Sequence, residues 1–444
     1  VFTDADHTKL NGIAAGATAY ANSNVDAHLN QSTASSGEVL SWNGSDYDWV
    51  TAASGGASDI DGLSDGKTAS IGNIGLGSQA INSLTSGNYN VALGDNALRN
   101  TTTGSWNTAV GESALNDNTT GSENTAVGFN ALLNNETGNN NTGLGYQALY
   151  TNTTGLRSTA IGTAALRLSN ANDNVAVGYQ TGRAVTSAAH NTLVGSWSAY
   201  NLTTGGSNVS LGMNSLFTNV SGSSNVAIGY DALGDVTASS NTAVGAQAGR
   251  VVTSGFENTF IGGYTGYNTT TGGRNVAVGK DALGSNTGGY YNVAVGYEAL
   301  DQFNGSGCVA VGTWAGRVNT AADNTFIGHE SGQANTSGNR VIFIGKQSGY
   351  SNTTGSNNIA LGYQALRTNS TGVDCSALGT YALYNSTGDR NTALGYYAGY
   401  SLTTGTNNLI LGYAAGASSQ TVSNEITLGN TSITSFRIPG LDYT

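Results

Sequence analysis

The sequence predicts an all-β chain wound as a parallel β-solenoid, and three observations carry that prediction. A five-residue head, Asn-Thr/Val-Ala-Val/Ile/Leu-Gly, recurs along the chain, as at 90–94, 107–111, 124–128 and 141–145. Its closing glycine falls at 22 places from Gly77 to Gly429, and every interval is 16 or 17 residues. So short a period does not fit a helix pair. It suits one coil of two short extended segments and two turns, stacked on the coil before. With the head Asn numbered 1 and its Gly 5, thirteen repeats have Leu or Ile at position 9, and all thirteen have Gly, Ala, Ser or Thr at position 3. Of the nine repeats with Gly or Ala at position 9, five carry a bulky residue at 3: Leu193, Phe260, Phe326, Phe343 and Ile410. Cavities and overfilling each cost about 1–5 kcal/mol per site. The two positions therefore trade volume inside one narrow interior, where Leu98, Leu115 and Leu149 also belong. The third observation is composition: 65 glycines in 444 residues and only 9% charged side chains, against ordinary values of about 7% and about 25%. A stack of like coils sets any recurring charge about 4.8 Å from its own copy, which keeps charge scarce.

The elements follow in order. Residues 1–67 do not obey the period and read as an N-terminal module. The start, Val1-Phe2-Thr3-Asp4, has neither an initiator Met nor the regions of a signal peptide, so the chain reads as a mature or truncated product. The segment 3–18 reads as a short capped helix with Leu10 and Ile13 on one face. The segment 38–50 reads as a hairpin around Asn43-Gly44, with Trp42 and Trp49 to pack across it, and 52–67 as a linker. The array occupies 68–433. Its head is a strand; the middle Gln-Ala-Leu portion is open between a second strand and one turn of helix. The Asn-Thr-Thr-Gly portion is a turn whose Gly is free to take positive φ.

Position 1 is Asn in 17 of the 22 repeats, among them Asn90, Asn107, Asn124, Asn141, Asn225, Asn241 and Asn275. Stacked amides form a ladder along the axis, interrupted by Ser158, Cys308, Val341, Cys375 and Glu425. A longer period is superimposed: Gln180-Thr-Gly-Arg183, Gln247-Ala-Gly-Arg250 and Trp314-Ala-Gly-Arg317 stand 67 residues apart, the mark of a duplicated four-repeat block. Arg183, Arg250 and Arg317 are expected to pair with carboxylates or coil-end carbonyls. At about 4.8 Å per coil the array makes a rod of roughly 100 Å. So thin a coil has little interior, and trimerisation would give it a shared core, with Val226/Ile228 and Val276/Val278 at positions 2 and 4 as contact surface. Residues 434–444, which hold the only proline, close the chain as a cap or tail.

Chemistry is sparse. A net charge of −12 with 15 Lys and Arg gives no phosphate-contacting patch, so no nucleic acid is expected as partner. No apolar run approaches the roughly 18 residues that a bilayer demands, so no membrane insertion is expected either. His7, His28, His190 and His329 are scattered. Cys308 and Cys375 stand four coils apart, about 19 Å along the rod, against the roughly 7 Å between Cα atoms that a disulfide tolerates; they read as free thiols. Asp4/Asp6, Asp46/Asp48 and Asp59/Asp61 have alternating acidic spacing without a complete calcium loop and read as solvated turns. No catalytic residue, metal or cofactor is expected. Position 6 is Tyr at Tyr146, Tyr179, Tyr230, Tyr297, Tyr363, Tyr396 and Tyr413. This aromatic row either stacks on sugar rings of a host surface or is used up between rings and at a subunit interface. An ice-binding solenoid would need a flat Thr-x-Thr face, whereas Thr here shares position 2 with Val.

With these motifs in hand a resemblance can be stated. Thr3–Thr18 resembles the TDxDHxKLxGIxxGAT segment of bacteriophage tail fibre proteins, and the Trp42–Trp49 hairpin resembles modules that accompany it. The array resembles the repeat regions of tail-fibre-domain proteins and, more distantly, the β-rolls of trimeric autotransporter adhesin heads. The segment 425–435 resembles the stretch that precedes a self-cleaving chaperone domain in phage fibres; no such domain follows here, so either it was removed after folding or the fragment stops short of it. The resemblance implies a homotrimeric virion tail fibre, partnered by itself, by other tail proteins and by a host-surface glycan or protein; a bacterial trimeric surface adhesin is the alternative.

Overall fold

The computed structural model describes residues 38–42, 47–51, 66–67 and 71–435. The expected helix over 3–18, the aspartate pairs at 4/6 and 59/61, His7, His28 and the tail after 435 lie outside the described residues. The predicted hairpin is present as β1 (Glu38–Trp42) and β2 (Tyr47–Thr51), antiparallel, with Leu40 opposite Trp49 and Trp42 opposite Tyr47.

From β4 (Ile74–Leu76) to β25 (Ile426–Leu428) there is one three-residue strand per head. Each pairs in parallel with the next in strict register, so that Ala92 faces Ala109 and Ala109 faces Ala126. Pairing runs in chain order and the coils close by winding, with the first and last strands at opposite ends. The two-residue β3 (Gly66–Lys67) lies antiparallel on β4 and covers the N-terminal edge that would otherwise template another chain.

Each coil holds one strand, which corrects the expected two. The middle portion is neither strand nor helix but a turn with left-handed backbone at positions 7 and 9, as at Asn96 (φ 58°) and Leu98 (φ 50°), Ser113 (57°) and Leu115 (52°). An L-residue pays about 1–2 kcal/mol for that region. Bonds in both axial directions hold it: the N–H of Asn96 donates to Ser78 in the coil before at 2.8 Å, and that of Leu98 to Ala114 in the coil after at 3.1 Å. The chain thus bends around the interior without losing its inter-coil bonds.

The turn glycine is corrected as well. The glycines with φ of 125–141° are those closing the heads, such as Gly94 at 135° and Gly111 at 125°. Gly121 and Gly138, in the Thr-Thr-Gly and Glu-Thr-Gly turns, are glycine for lack of space: a Cβ on Gly121 would meet the carbonyl oxygen of Gly138 in the next coil at 2.5 Å.

Positions 3 and 9 point inward as expected. Leu98, Leu115, Leu149, Leu193, Phe260, Phe326, Phe343 and Ile410 are all fully buried. Volume is exchanged between coils as well as within one. Of the position-9 glycines in coils without a bulky position 3, Gly182, Gly249, Gly316 and Gly399 each precede a coil that has one; their Cβ positions would meet Leu193, Phe260, Phe326 and Ile410. A third interior column, unforeseen from sequence, lies at position 12: Asn118, Asn135, Asn152, Ser169, Val185, Leu202, Val236 and Phe303 are fully buried. Each coil therefore fills its own interior within a single chain, so the argument for a trimer from insufficient burial does not hold.

The seven named ladder residues are all fully buried. Oδ1 of Asn90 accepts from the backbone N–H of Asn107 at 3.0 Å and from its Nδ2 at 3.1 Å, and that Nδ2 also donates to the carbonyl of Gly121 at 2.9 Å. Donation runs toward the preceding coil. At Asn141, Asn225 and Asn241 the backbone N–H alone makes the link. The interrupting residues Ser158, Cys308, Val341, Cys375 and Glu425 keep the N–H bond to the preceding Asn. A second ladder runs in the position-12 column, where Nδ2 of Asn152 donates to Asn135 and Nδ2 of Asn135 to Asn118, both at 2.8 Å.

Candidate functional surface

Because strand side chains alternate, inward position 3 sends positions 2 and 4 outward. Position 4 is Val, Ile or Leu in all 22 coils. None of them is buried, and the most open include Leu144 at 43%, Leu211 at 46%, Leu361 at 45% and Leu394 at 53%. Position 2 adds Val175, Val209, Val276, Ile342 and Ile359 beside them, each about two-fifths exposed. The strand face is thus an apolar ribbon along the whole rod.

The tyrosines at position 6 are exposed, from Tyr363 at 39% to Tyr413 at 68%, but they do not make one continuous row. Thr163, Ser196, Ala246, Gly263, Thr313 and Thr380 stand between them. Most are engaged by neighbouring rings: Tyr146 stacks on Phe129 at 5.7 Å, Tyr179 meets Trp197 at 5.8 Å, Tyr297 meets Trp314 at 6.4 Å, Tyr363 meets Tyr381 at 5.2 Å and Tyr396 stacks on Tyr413 at 5.4 Å. Rings converge most densely in the C-terminal coils, where Tyr381, Tyr397 and Tyr400 join Tyr384. Position 10 carries a second column that sequence reasoning missed. There Arg367 lies over Tyr350 at 5.0 Å and over Tyr384 at 5.7 Å, and Arg183 lies over Tyr200 at 5.7 Å.

Two of the three repeated arginines pair with carboxylates as expected: Arg250 Nε with Asp231 at 2.6 Å and Arg317 Nε with Glu298 at 2.6 Å. Arg183 instead donates to the hydroxyl of Tyr200 at 3.2 Å. Elsewhere Arg157 holds the Asp173 carboxyl below its usual range through a hydrogen bond, and burial raises that of Asp301, reinforced by repulsion from Glu298. At the C-terminal coil Glu425 accepts from Ser418 and from the Thr427 hydroxyl, and these bonds lower its pKa. Cys308 and Cys375 are buried free thiols, and burial pushes both up to about 11.

His190 lies 3.9 Å from Asp173 and His329 lies 3.4 Å from Glu330, each a surface contact. Among the described residues no three His, Cys, Asp or Glu side chains cluster as metal ligands would, and no helix is long and apolar enough to cross a membrane. No protein-family model matches this chain, and no curated protein matches it.

Proposed function

We propose that this chain forms the rod of a non-enzymatic homotrimeric fibre, a phage tail fibre or related virion appendage that projects a host-contacting region. One observation carries the reading: an aliphatic residue stands at outward position 4 in every one of 22 coils. Monomeric soluble proteins seldom leave a contiguous apolar patch larger than a few hundred Å², and this ribbon is about 100 Å long, with a second aliphatic side chain at position 2 in twelve of the 22 coils. Its length matches the rod itself, so the partner with the same extent and the same period is another copy of this chain. Three copies set strand face to strand face would bury all three ribbons around one axis. Coil stacking supplies stiffness, and parallel copies present any contact site several times, which raises avidity. Other tail proteins would hold one end, and a host-surface glycan or protein would meet the other.

The aliphatic position 4 also argues against ice binding, which would need Thr there. A bacterial trimeric surface adhesin would use the same ribbon; neighbouring genes for tail assembly would favour the virion, and genes for secretion the adhesin. Sedimentation equilibrium tests the oligomer: a mass three times the 44.9 kDa chain is expected, and a stable monomer at micromolar concentration would overturn the reading.

A further inference from the structure

We propose that the depression beside Gly234 is a saccharide-binding site that takes one pyranose ring. It has a volume of about 370 Å³ and is lined by Asn214, Phe217, Tyr230, Asp231, Asp235 and Arg250, with Thr218 at its margin. That volume falls in the range of small-ligand sites, roughly 300–1,000 Å³.

The position-10 column explains the depression. Arg183 lies over Tyr200, and Tyr200 stacks on Phe217 at 5.5 Å with 13° between the planes. The next coil continues the column with Gly234, which has no side chain, and the coil after that with Arg250. One face of the half-buried Phe217 is therefore covered by a ring and the other fronts the depression. Phe217 and Arg250 are two coil steps apart, about 9.6 Å, with the side-chain-free Gly234 between them and the Arg250 guanidinium turned toward Asp231 and Asp235. A Cβ at Gly234 would come within 2.5 Å of Oδ1 of Asp231 and displace that carboxylate.

The rest of the lining suits a neutral polyol with one apolar face. Asp231 is 9% exposed, and its Oδ2 accepts from Arg250 Nε at 2.6 Å. Asp235 stands 3.5 Å from Nη1 of the same guanidinium. Both carboxylates share this one guanidinium, which leaves a single net negative charge, and what they offer a ligand is directed hydrogen-bond acceptance. A pyranose would lay its C–H face on Phe217, donate hydroxyls to Asp235 and accept from Asn214 and Arg250, with the exposed Tyr230 ring at the rim. The inference rests on the fibre reading only in supplying a ligand class for the host surface.

The test uses the full chain and saturation-transfer NMR with glucose, galactose, mannose, rhamnose and N-acetylglucosamine as probes, and an arginine-rich hexapeptide as the charged arm. At least one sugar is expected to bind with a Kd of about 1 mM. Phe217→Leu, which removes the flat face, is expected to weaken it by about tenfold. Because Phe217 also stacks on Tyr200, Asp235→Ala serves as a second variant that leaves the stack in place and is likewise expected to weaken binding. Glu112→Ala, at an exposed residue on a distant coil, is expected to leave it unchanged. The proposal is overturned if no sugar binds, if both site variants bind as the parent does, or if only the cationic peptide binds. A trimer that binds no sugar overturns this inference alone, and a monomer that binds sugar overturns the fibre reading alone.

Discussion

The ring of Phe260 lies against Gly249 of the preceding coil so closely that a Cβ on that glycine would stand 2.8 Å from Cδ2. On its other edge the ring meets Gly266 of its own coil. One large side chain is thus accommodated by two coils that each give up a leucine. Phe260→Ala should cost about 3–5 kcal/mol by opening a cavity, and Gly249→Leu about 1–3 kcal/mol by overpacking. Combined, they should cost less than their sum by at least about 1 kcal/mol. Urea denaturation of the two singles and the double measures that coupling, and strict additivity would refute a shared volume.

The Asn ladder should be costly to break. Asn258→Ala removes the Nδ2 bonds to Asn241 and Gly272, at 3.1 and 2.9 Å, leaves the N–H of Asn275 without its side-chain acceptor and takes one of two acceptors from its Nδ2. Buried unpaired groups cost about 1–3 kcal/mol each, so a loss of roughly 3 kcal/mol or more is expected. Asn258→Ser should cost less, since Ser158 in the same position donates to Ala171 at 3.2 Å and accepts from Asn174 at 3.3 Å. Thermal melts rank the two; equal losses would mean that the side-chain bonds add nothing.

Both thiols should be inert in the folded protein. With a pKa of about 11 against an ordinary 9.0, the thiolate fraction at pH 8 is about a hundredfold lower than in the unfolded chain. Iodoacetamide should therefore label Cys308 and Cys375 rapidly only in denaturant. The same shift makes stability fall with alkali. The folded state retains a proton that the unfolded state releases, so the contribution is complete below pH 9 and is lost as pH rises toward 11. A Cys308→Ala, Cys375→Ala double variant should show a shallower decline over that window, and an unchanged slope would assign the decline to other groups.

Charge on the ribbon should dissociate the proposed trimer without unfolding the coil. Leu211 and Leu361 are 46% and 45% exposed at position 4, so Glu at either leaves the interior columns untouched. Leu211→Glu with Leu361→Glu should reduce the sedimenting mass to one chain while the circular dichroism spectrum is retained. A trimer that survives both would place its contacts on another face.

Much of the architecture was legible because a stack of coils repeats each contact at one sequence period. The period itself, the inward direction of positions 3 and 9, the buried ladder at position 1 and its interruptions all follow from which residue types recur. What hid the rest was chemical variety at fixed geometry. The position-12 column holds Asn135, Val185 and Phe303 in turn, so neither polarity nor size announces an interior site, and only the packed coil reveals it. Likewise the position-10 column mixes Arg, Tyr, Phe and Gly, and the open place beside Gly234 depends on neighbours 17 residues before and 16 after.

By itself, then, the sequence determined the solenoid, its 22 coils and the residues that fill two of its interior columns, since near-neighbour stacking copies local pattern directly into structure. The tertiary structure alone decided the path of the middle segment. Leu98 and Leu115 carry no propensity for left-handed backbone, and they adopt φ of 50° and 52° because inter-coil bonds and a closed interior outweigh the local cost. It also decided that one chain completes its own core. That moves the case for a partner from an unfilled interior to an uncovered face.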